Sequence, residues 1–151
     1  MRIRKFRTED AGKVSHLIRK TMRHSLIKCY SKKVVDALCR ANTPKNLLIR
    51  AKTREYFLAV DKGLIVGVNG IKDDEVKTFF VDPKYHGRGV GRLLMQNLEI
   101  IAKKRGIKVL MVKSSLFAQG FYKTLGFRRI KRLTSEVGTQ KFFDTLMQKK
   151  L

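Results

Sequence analysis

Tryptophan is absent from this chain, proline and cysteine occur only twice each, and acidic residues number 12 against 35 lysines and arginines. Cys29 and Cys39 stand ten positions apart, with neither C-x-x-C nor Cys/His spacing around them. That excludes a disulfide scaffold and a zinc or redox pair, and leaves the two as small buried hydrophobes. His16, His24 and His86 do not cluster either, so no metal site is expected. No apolar run approaches the ~20 residues of a membrane helix, and the basic start MRIRKF leads into no apolar stretch of signal-peptide length. The expectation is a cytoplasmic chain with no membrane partner. No linker, low-complexity tract or internal repeat divides the 151 residues, so one domain over 1–151 is predicted.

What the chain has in excess is positive charge, +23 at neutral pH. A field of that sign attracts polyanions, whether nucleic acid or phosphorylated cofactors. The cations are nonetheless spread along the whole length, with KKR at 103–105 as the longest run, and no nucleic-acid reader motif accompanies them. Nucleic acid is therefore a partner that the charge allows and the motifs do not favour.

Hydrophobic periodicity divides the chain into a helical first third and a mixed remainder. RIRKF reads as a strand. Thr8 is placed to cap a helix whose apolar face is Ala11, Val14, Leu17, Ile18 and Met22. Ser31 precedes Val34, Val35, Leu38 and Cys39 at helical spacing, and Thr43-Pro44 opens a third helical segment. Then the period changes. EYFLAV, the turn DKG and LIVGVNGI read as a hairpin, and KDD leads into a further strand, EVKTFFV, ended by Asp82-Pro83. Val90, Leu93, Leu94, Leu98, Ile101 and Ala102 mark a helix that stops at Gly106. A strand IKVLMV, a helix over 115–126 and two closing strands, FRRIK and KFFDTLMQ, complete the prediction.

Before the fourth helix stands YHGRGVGRLL, with Gly87, Gly89 and Gly91 on alternate positions and Arg88 and Arg92 between and after them. A helix start leaves main-chain N–H groups without partners at the positive end of the helix dipole. Glycines remove the side chains that would keep an anion from those groups, so pyrophosphate is the natural guest. The dinucleotide fingerprint G-x-G-x-x-G fails at Arg92, and the G-K-[ST] of a P-loop is absent. On spacing alone a second reading stands beside the anion site: a glycine turn that serves only helix packing.

FFVDPKYHGRGVGRLLMQNLEIIAKKRGI, followed by SSLFAQGFYKTLGFRRI, resembles the GCN5-related N-acetyltransferase (GNAT) family, and the likeness extends through EYFLAVDKGLIVGVNGI. The resemblance implies an α/β fold: a mixed, centrally splayed β-sheet flanked by helices on both faces. It implies acetyl-CoA (coenzyme A) as cofactor, bound by a V-x-P-x-Y strand exit and a Q/R-x-x-G-x-G/A loop. Here the loop reads His86-Gly87-Arg88-Gly89-Val90-Gly91, followed by Arg92; it departs from the pattern at His86. Strand 75–81 is expected to splay from strand 107–112, so that the pantetheine arm pairs with main chain around Phe79, Phe80 and Val81. The side chains of those three residues read as core. Ala118 matches the family's small residue, and Ser115 stands where Asn is common.

By the same resemblance, Tyr122 occupies the position of the tyrosine that meets the thioester sulfur and protonates the departing thiolate; read by itself it is a buried aromatic on an amphipathic helix. Main-chain N–H groups near Phe80 are the implied oxyanion donors. Glu75 lies eleven residues before His86, where the protein-acetylating branch carries a strand glutamate. It is the candidate base, although Asp73, Asp74 and Glu75 also read as a solvated turn. The implied activity is acetyl transfer to a primary amine, of a small molecule or a protein, by direct attack in a ternary complex. A coenzyme-binding module without catalysis, or a nucleic-acid-associated protein on the same scaffold, is the alternative. The acceptor pocket is expected from residues 24–46 and a loop at 133–138, and the assembly as monomer or homodimer.

Overall fold

The computed structural model describes all residues from Met1 to Leu151. Seven strands, β1 (Arg2–Lys5), β2 (Glu55–Asp61), β3 (Leu64–Lys72), β4 (Glu75–Val81), β5 (Val109–Ser114), β6 (Arg128–Val137) and β7 (Gln140–Lys150), form one sheet in the order β1-β2-β3-β4-β5-β7-β6. Every neighbouring pair is antiparallel except β4 and β5. Helices α1 (Ala11–Ser25), α2 (Lys32–Arg40) and α3 (Pro44–Arg50) cover one face, while α4 (Val90–Lys104) and the short α5 (Gln119–Thr124) cover the other.

Alternation along the strands builds a core on each face. Tyr56, Leu58, Val60 and Val68 pack against Val14, Ile18, Met22, Val35 and Leu47 from the first three helices. On the opposite face Phe57, Ile71, Leu110, Val112 and Met147 meet Met95, Leu98 and Ala102 of α4. The expected caps of α2 and α3 are present: Val34 N–H donates to Ser31 Oγ and Asn46 N–H to Thr43 Oγ1, each at 3.2 Å.

The ladder between β3 and β4 contains a bulge. Register moves from Gly70↔Thr78 to Ile71↔Val76, which leaves Lys77 as the extra residue and bends β4. Beyond the bulge β4 departs from β5, and the two parallel strands share only the pairs Glu75↔Met111 and Val76↔Val112. The predicted splay is therefore present, and its closed end is Glu75.

Several expected details differ. Thr8 does not cap α1: residues Thr8–Asp10 form a single 3-10 turn, and Asp10 accepts from Arg7 N–H at 2.8 Å and from both terminal nitrogens of Arg4. A carboxylate answered by a guanidinium and a main-chain donor outweighs a hydroxyl cap. The helix expected over 115–126 shrinks to Gln119–Thr124 because Ser115–Ala118 closes a tight turn in which Ala118 N–H donates to Ser115 Oγ. Residues 133–137, expected as loop, continue β6, and the turn comes at Gly138, whose φ of +57° suits glycine. Cys39 is buried as expected, but Cys29 is exposed, since the chain leaves α1 there for the surface.

Candidate active site

The splay between β4 and β5 opens into a cleft of about 510 Å³. One wall is the glycine loop and the start of α4. The opposite side is formed by Ser115, Phe117, Ala118 and Phe121, the floor by Phe79, Phe80 and Val81, and the end by Thr21, Ser25 and Leu26 of the first helical segment. Of the residues that sequence reading assigned to cofactor binding, the cleft gathers Phe79, Phe80, Val81, His86, Gly87, Gly89, Val90, Gly91, Arg92, Ser115 and Ala118. Arg88 is the exception: its guanidinium lies over the ring of Tyr85, a cleft residue, 5.1 Å from the centroid.

The three loop glycines have two different roles. Gly87 and Gly89 adopt φ of +76° and +81°, in the left-handed region, and a Cβ at either would point into open space. Gly91 is helical, and a Cβ there would lie 2.8 Å from Phe121 Cζ. The packing reading thus holds for Gly91 alone, and the other two turn the chain while keeping its surface bare. Leu93 N–H makes the first bond of α4, to Gly89 O at 3.0 Å, so the N–H groups of Val90, Gly91 and Arg92 have no helical acceptor. No side chain caps this end and no acid occupies its first turn. A 15-residue helix with an unanswered positive pole, arginine beside it and no Cβ in the way is suited to a phosphate group.

The floor offers main chain. Asp82 N–H donates to Val66 O at 2.8 Å, which fixes the alternation of the ladder: Phe80 bonds to β3, while the N–H and C=O groups of Phe79 and Val81 point away from β3 into the splay. His86 Nε2 already donates to Val81 O at 2.8 Å, so this side chain ties the loop to the strand end and does not reach outward. Ser115 Oγ is engaged by Ala118 N–H at 3.1 Å and keeps its own proton to donate.

Tyr122 and Glu75 lie outside the cleft wall. Tyr122 sits directly behind it, with its ring 5.9 Å from that of Phe79, 5.4 Å from Phe121 and 5.5 Å from Phe127. Burial pushes its hydroxyl well above the ordinary tyrosine range. That hydroxyl has no partner in the chain, yet unlike the Tyr56 hydroxyl it is not sealed from solvent. Glu75 is half-buried and forms an ion pair with Lys77, the bulged residue beside it. Asp73 and Asp74 are exposed turn residues.

Sequence reading named the span 24–46, which includes Ser25 and Leu26, for an acceptor pocket, but singled out no residue at the end of the cleft and did not include Thr21. Thr21 and Ser25 belong to the buried face of α1, and Thr21 Oγ1 donates to Leu17 O at 2.8 Å. Their signal was small hydroxyl residues at helical spacing where the stripe should have stayed apolar. Tyr30 lies within that span but was not singled out. Its hydroxyl donates to Phe143 O at 2.7 Å and accepts from Leu116 N–H at 3.0 Å, joining the segment after α1 to the β5–α5 turn and to β7. Burial raises this hydroxyl to about 12, partly offset by the Leu116 bond.

The profile of the acetyltransferase (GNAT) domain matches residues 18–151. Among curated relatives, an uncharacterized N-acetyltransferase of Chlorobaculum tepidum is 27% identical over 84 residues, 52% of this chain and 53% of that protein. N-alpha-acetyltransferase RimI of Mycobacterium tuberculosis is 36% identical over 84 residues, 50% of this chain and 52% of that protein. The chain thus spans about half the length of these relatives. A GCN5-related N-acetyltransferase from Rhodopseudomonas palustris superposes with a TM-score of 0.95 at 26% identity, covering 99% of this chain and 95% of that one. PaiA N-acetyltransferase of Thermoplasma acidophilum, solved in complex with coenzyme A, shares the fold with a TM-score of 0.82 at 21% identity, over 99% of this chain and 98% of that one. Bare glycine loop, bulged β4, splayed sheet and profile agree, and the chain belongs to the GNAT acetyltransferase family.

Proposed function

We propose that this protein transfers the acetyl group of acetyl-CoA to a primary amine by direct attack, with both substrates bound together. The observation that carries the reading is the pair of features at the cleft: free N–H groups of Val90, Gly91 and Arg92 at one end, and outward-facing main chain of Phe79 and Val81 along the floor. The first suits a pyrophosphate and the second an amide-containing arm lying beside a strand, so the residues present fit coenzyme A. When bound, acetyl-CoA supplies an acetyl group already activated as a thioester.

The chain's own contributions follow from position. The N–H groups of Phe79 and Val81 face the splay and are the donors for charge developing on a carbonyl oxygen; Phe80 N–H, committed to β3, is not. Tyr122 Oη is the proton donor to the departing sulfur. Its burial keeps it protonated throughout the physiological range and makes it a weaker acid, so the proton passes only as the thiolate leaves. Glu75, at the closed end of the splay and ion-paired with Lys77, takes the proton from the amine by way of water. Phe79, Phe121 and the end wall of Leu26 exclude bulk water from the region between them.

The test is a thiol-release assay with acetyl-CoA over a panel of amines, peptides and polyamines, beside calorimetric titration with coenzyme A. Thiol release that depends on an amine is the expected result. Coenzyme binding without turnover on any amine would identify a non-catalytic coenzyme-binding module, and no heat of binding would remove the reading altogether.

A further inference from the structure

We propose that Asp144, on β7, is the anchoring carboxylate for an acceptor that carries an ammonium group in addition to the amine that is acetylated, a diamine or a longer polyamine. This inference rests on the acetyl-transfer reading above for the word acceptor, and on its own observations for the binding site.

The chain has 12 carboxylate side chains, and eight of them have a cation within ion-pair distance. Of the others, Glu9, Asp73 and Asp74 are exposed, where water serves as partner. Asp144 alone is buried, at 7% exposure, with no cation against it. Its support within the chain is one hydroxyl and its own main-chain N–H. Both oxygens lie near Ser135 Oγ, at 3.0 and 2.9 Å, but one hydroxyl carries one proton. Burial accordingly pushes the carboxyl above its ordinary range, with Ser135 and Lys113 opposing and Glu75 adding to the rise. A buried carboxyl without a counter-ion either stays protonated or takes an external cation, and in a protein of net charge +23 the proposal is the second.

The position is right for an acceptor. Thr145 pairs with Ser114 at the end of β5, so Asp144 stands beside the turn whose Ser115, Phe117 and Ala118 line the cleft. Strand alternation puts Asp144, Lys113, Glu75 and Ser135 on one face of the sheet, the face crossed by α2. Lys113, on the same face, is exposed. Tyr30, whose hydroxyl bonds to the neighbouring Phe143 carbonyl, closes the other side. A carboxylate in contact with the reacting nitrogen would hold it protonated and unreactive. The group bound at Asp144 is therefore a second nitrogen, and the substrate has two.

The test is calorimetric titration of the full chain with 1,4-diaminobutane and with n-butylamine, each with and without saturating coenzyme A, for wild type, Asp144→Asn and Lys113→Met. Wild type should bind the diamine about tenfold or more tightly than the monoamine, the size of one charge-assisted bond. Asp144→Asn, which keeps the shape and the Ser135 contact, should abolish that preference. Lys113→Met should strengthen diamine binding by removing the nearest competing cation, an effect of opposite sign that a structural role for Asp144 would not produce and that remains readable if Asp144→Asn melts early. An unchanged preference in Asp144→Asn, weaker diamine binding in Lys113→Met, or no preference in wild type overturns the proposal. Failure of coenzyme A to bind sinks the acetyl-transfer reading instead, and leaves the diamine titrations interpretable.

Discussion

Replacing Gly89 by alanine separates the anion site from mere chain turning. At φ +81° an L-residue is strained by about 1–2 kcal/mol, and the smaller entropy of an alanine-containing unfolded chain returns about 0.4–1 kcal/mol. Nothing lies within 4 Å of the new Cβ, so no clash adds to the cost. The net loss is about 1 kcal/mol, or a fall of about 2–4 °C in Tm for a domain of this size. Gly12→Ala is the control: it is exposed, helical and equally unobstructed, and should gain about 0.5–1 kcal/mol. Coenzyme A binding should respond on a different scale. A Cβ at 89 would add bulk to the open space at the helix start, and losing one hydrogen bond to a charged phosphate there costs about 1.5–3 kcal/mol, about ten- to a hundredfold in Kd. Thermal denaturation and titration calorimetry on the same samples read both numbers. If Gly89→Ala melts a few degrees early and still binds coenzyme A like wild type, the loop is a turn and the anion-site reasoning is refuted.

Gly91→Ala tests the close contact with Phe121: overpacking should cost about 1–3 kcal/mol, partly offset by about 1 kcal/mol of helix propensity, and raise the KM for acetyl-CoA, because Phe121 is displaced into the cleft. Tyr122→Phe should leave Tm and coenzyme binding near wild type, since the lost hydroxyl had no partner in the chain, while kcat falls at least about tenfold; an unchanged kcat would remove the tyrosine from the chemistry. Asp10→Asn should cost about 3 kcal/mol at neutral pH by leaving Arg4 half-buried and unpaired. The Arg4 bond holds the Asp10 carboxyl below its ordinary value of 3.8, so this stability is present above that value and lost as pH falls through the depressed folded value. The Tm difference between wild type and Asp10→Asn should accordingly shrink in acid, and a difference that holds constant down to full protonation would refute the assignment. Leu98→Ala, at a side chain with no exposed surface between α4 and the sheet, should cost about 2–5 kcal/mol, visible as an equal shift of the denaturation midpoint at unchanged m-value.

Much of the architecture was legible because its signals are local. The stripe from Val90 to Ala102, the Ser31 and Thr43 caps, the turns around Gly63 and Asp73 and the stop at Asp82-Pro83 each act within one or two turns of chain, and all appear where the sequence places them. The bare, cationic helix start was legible for the same reason. Its purpose at Gly91 was not, since the ring it must avoid belongs to a segment thirty residues further on. The same limit explains Thr8. Its hydroxyl is a good cap by itself, but Arg4 arrives from a strand to engage Asp10, and a charged contact between elements wins.

Taken alone, the order of residues determined the elements, the glycine loop with its charge, and the family likeness. Tertiary structure decided which of the named side chains face the cleft. It put Tyr122 behind the wall, turned His86 back on Val81, drew Lys77 onto Glu75, and left Asp144 buried without a counter-ion. The physical reason is that periodicity fixes which face of an element a residue occupies, whereas hydrogen-bond partners, burial and counter-charges come from other elements. Those are set by the bulge at Lys77 and by the register of β5 with β7, neither of which leaves a mark on local sequence.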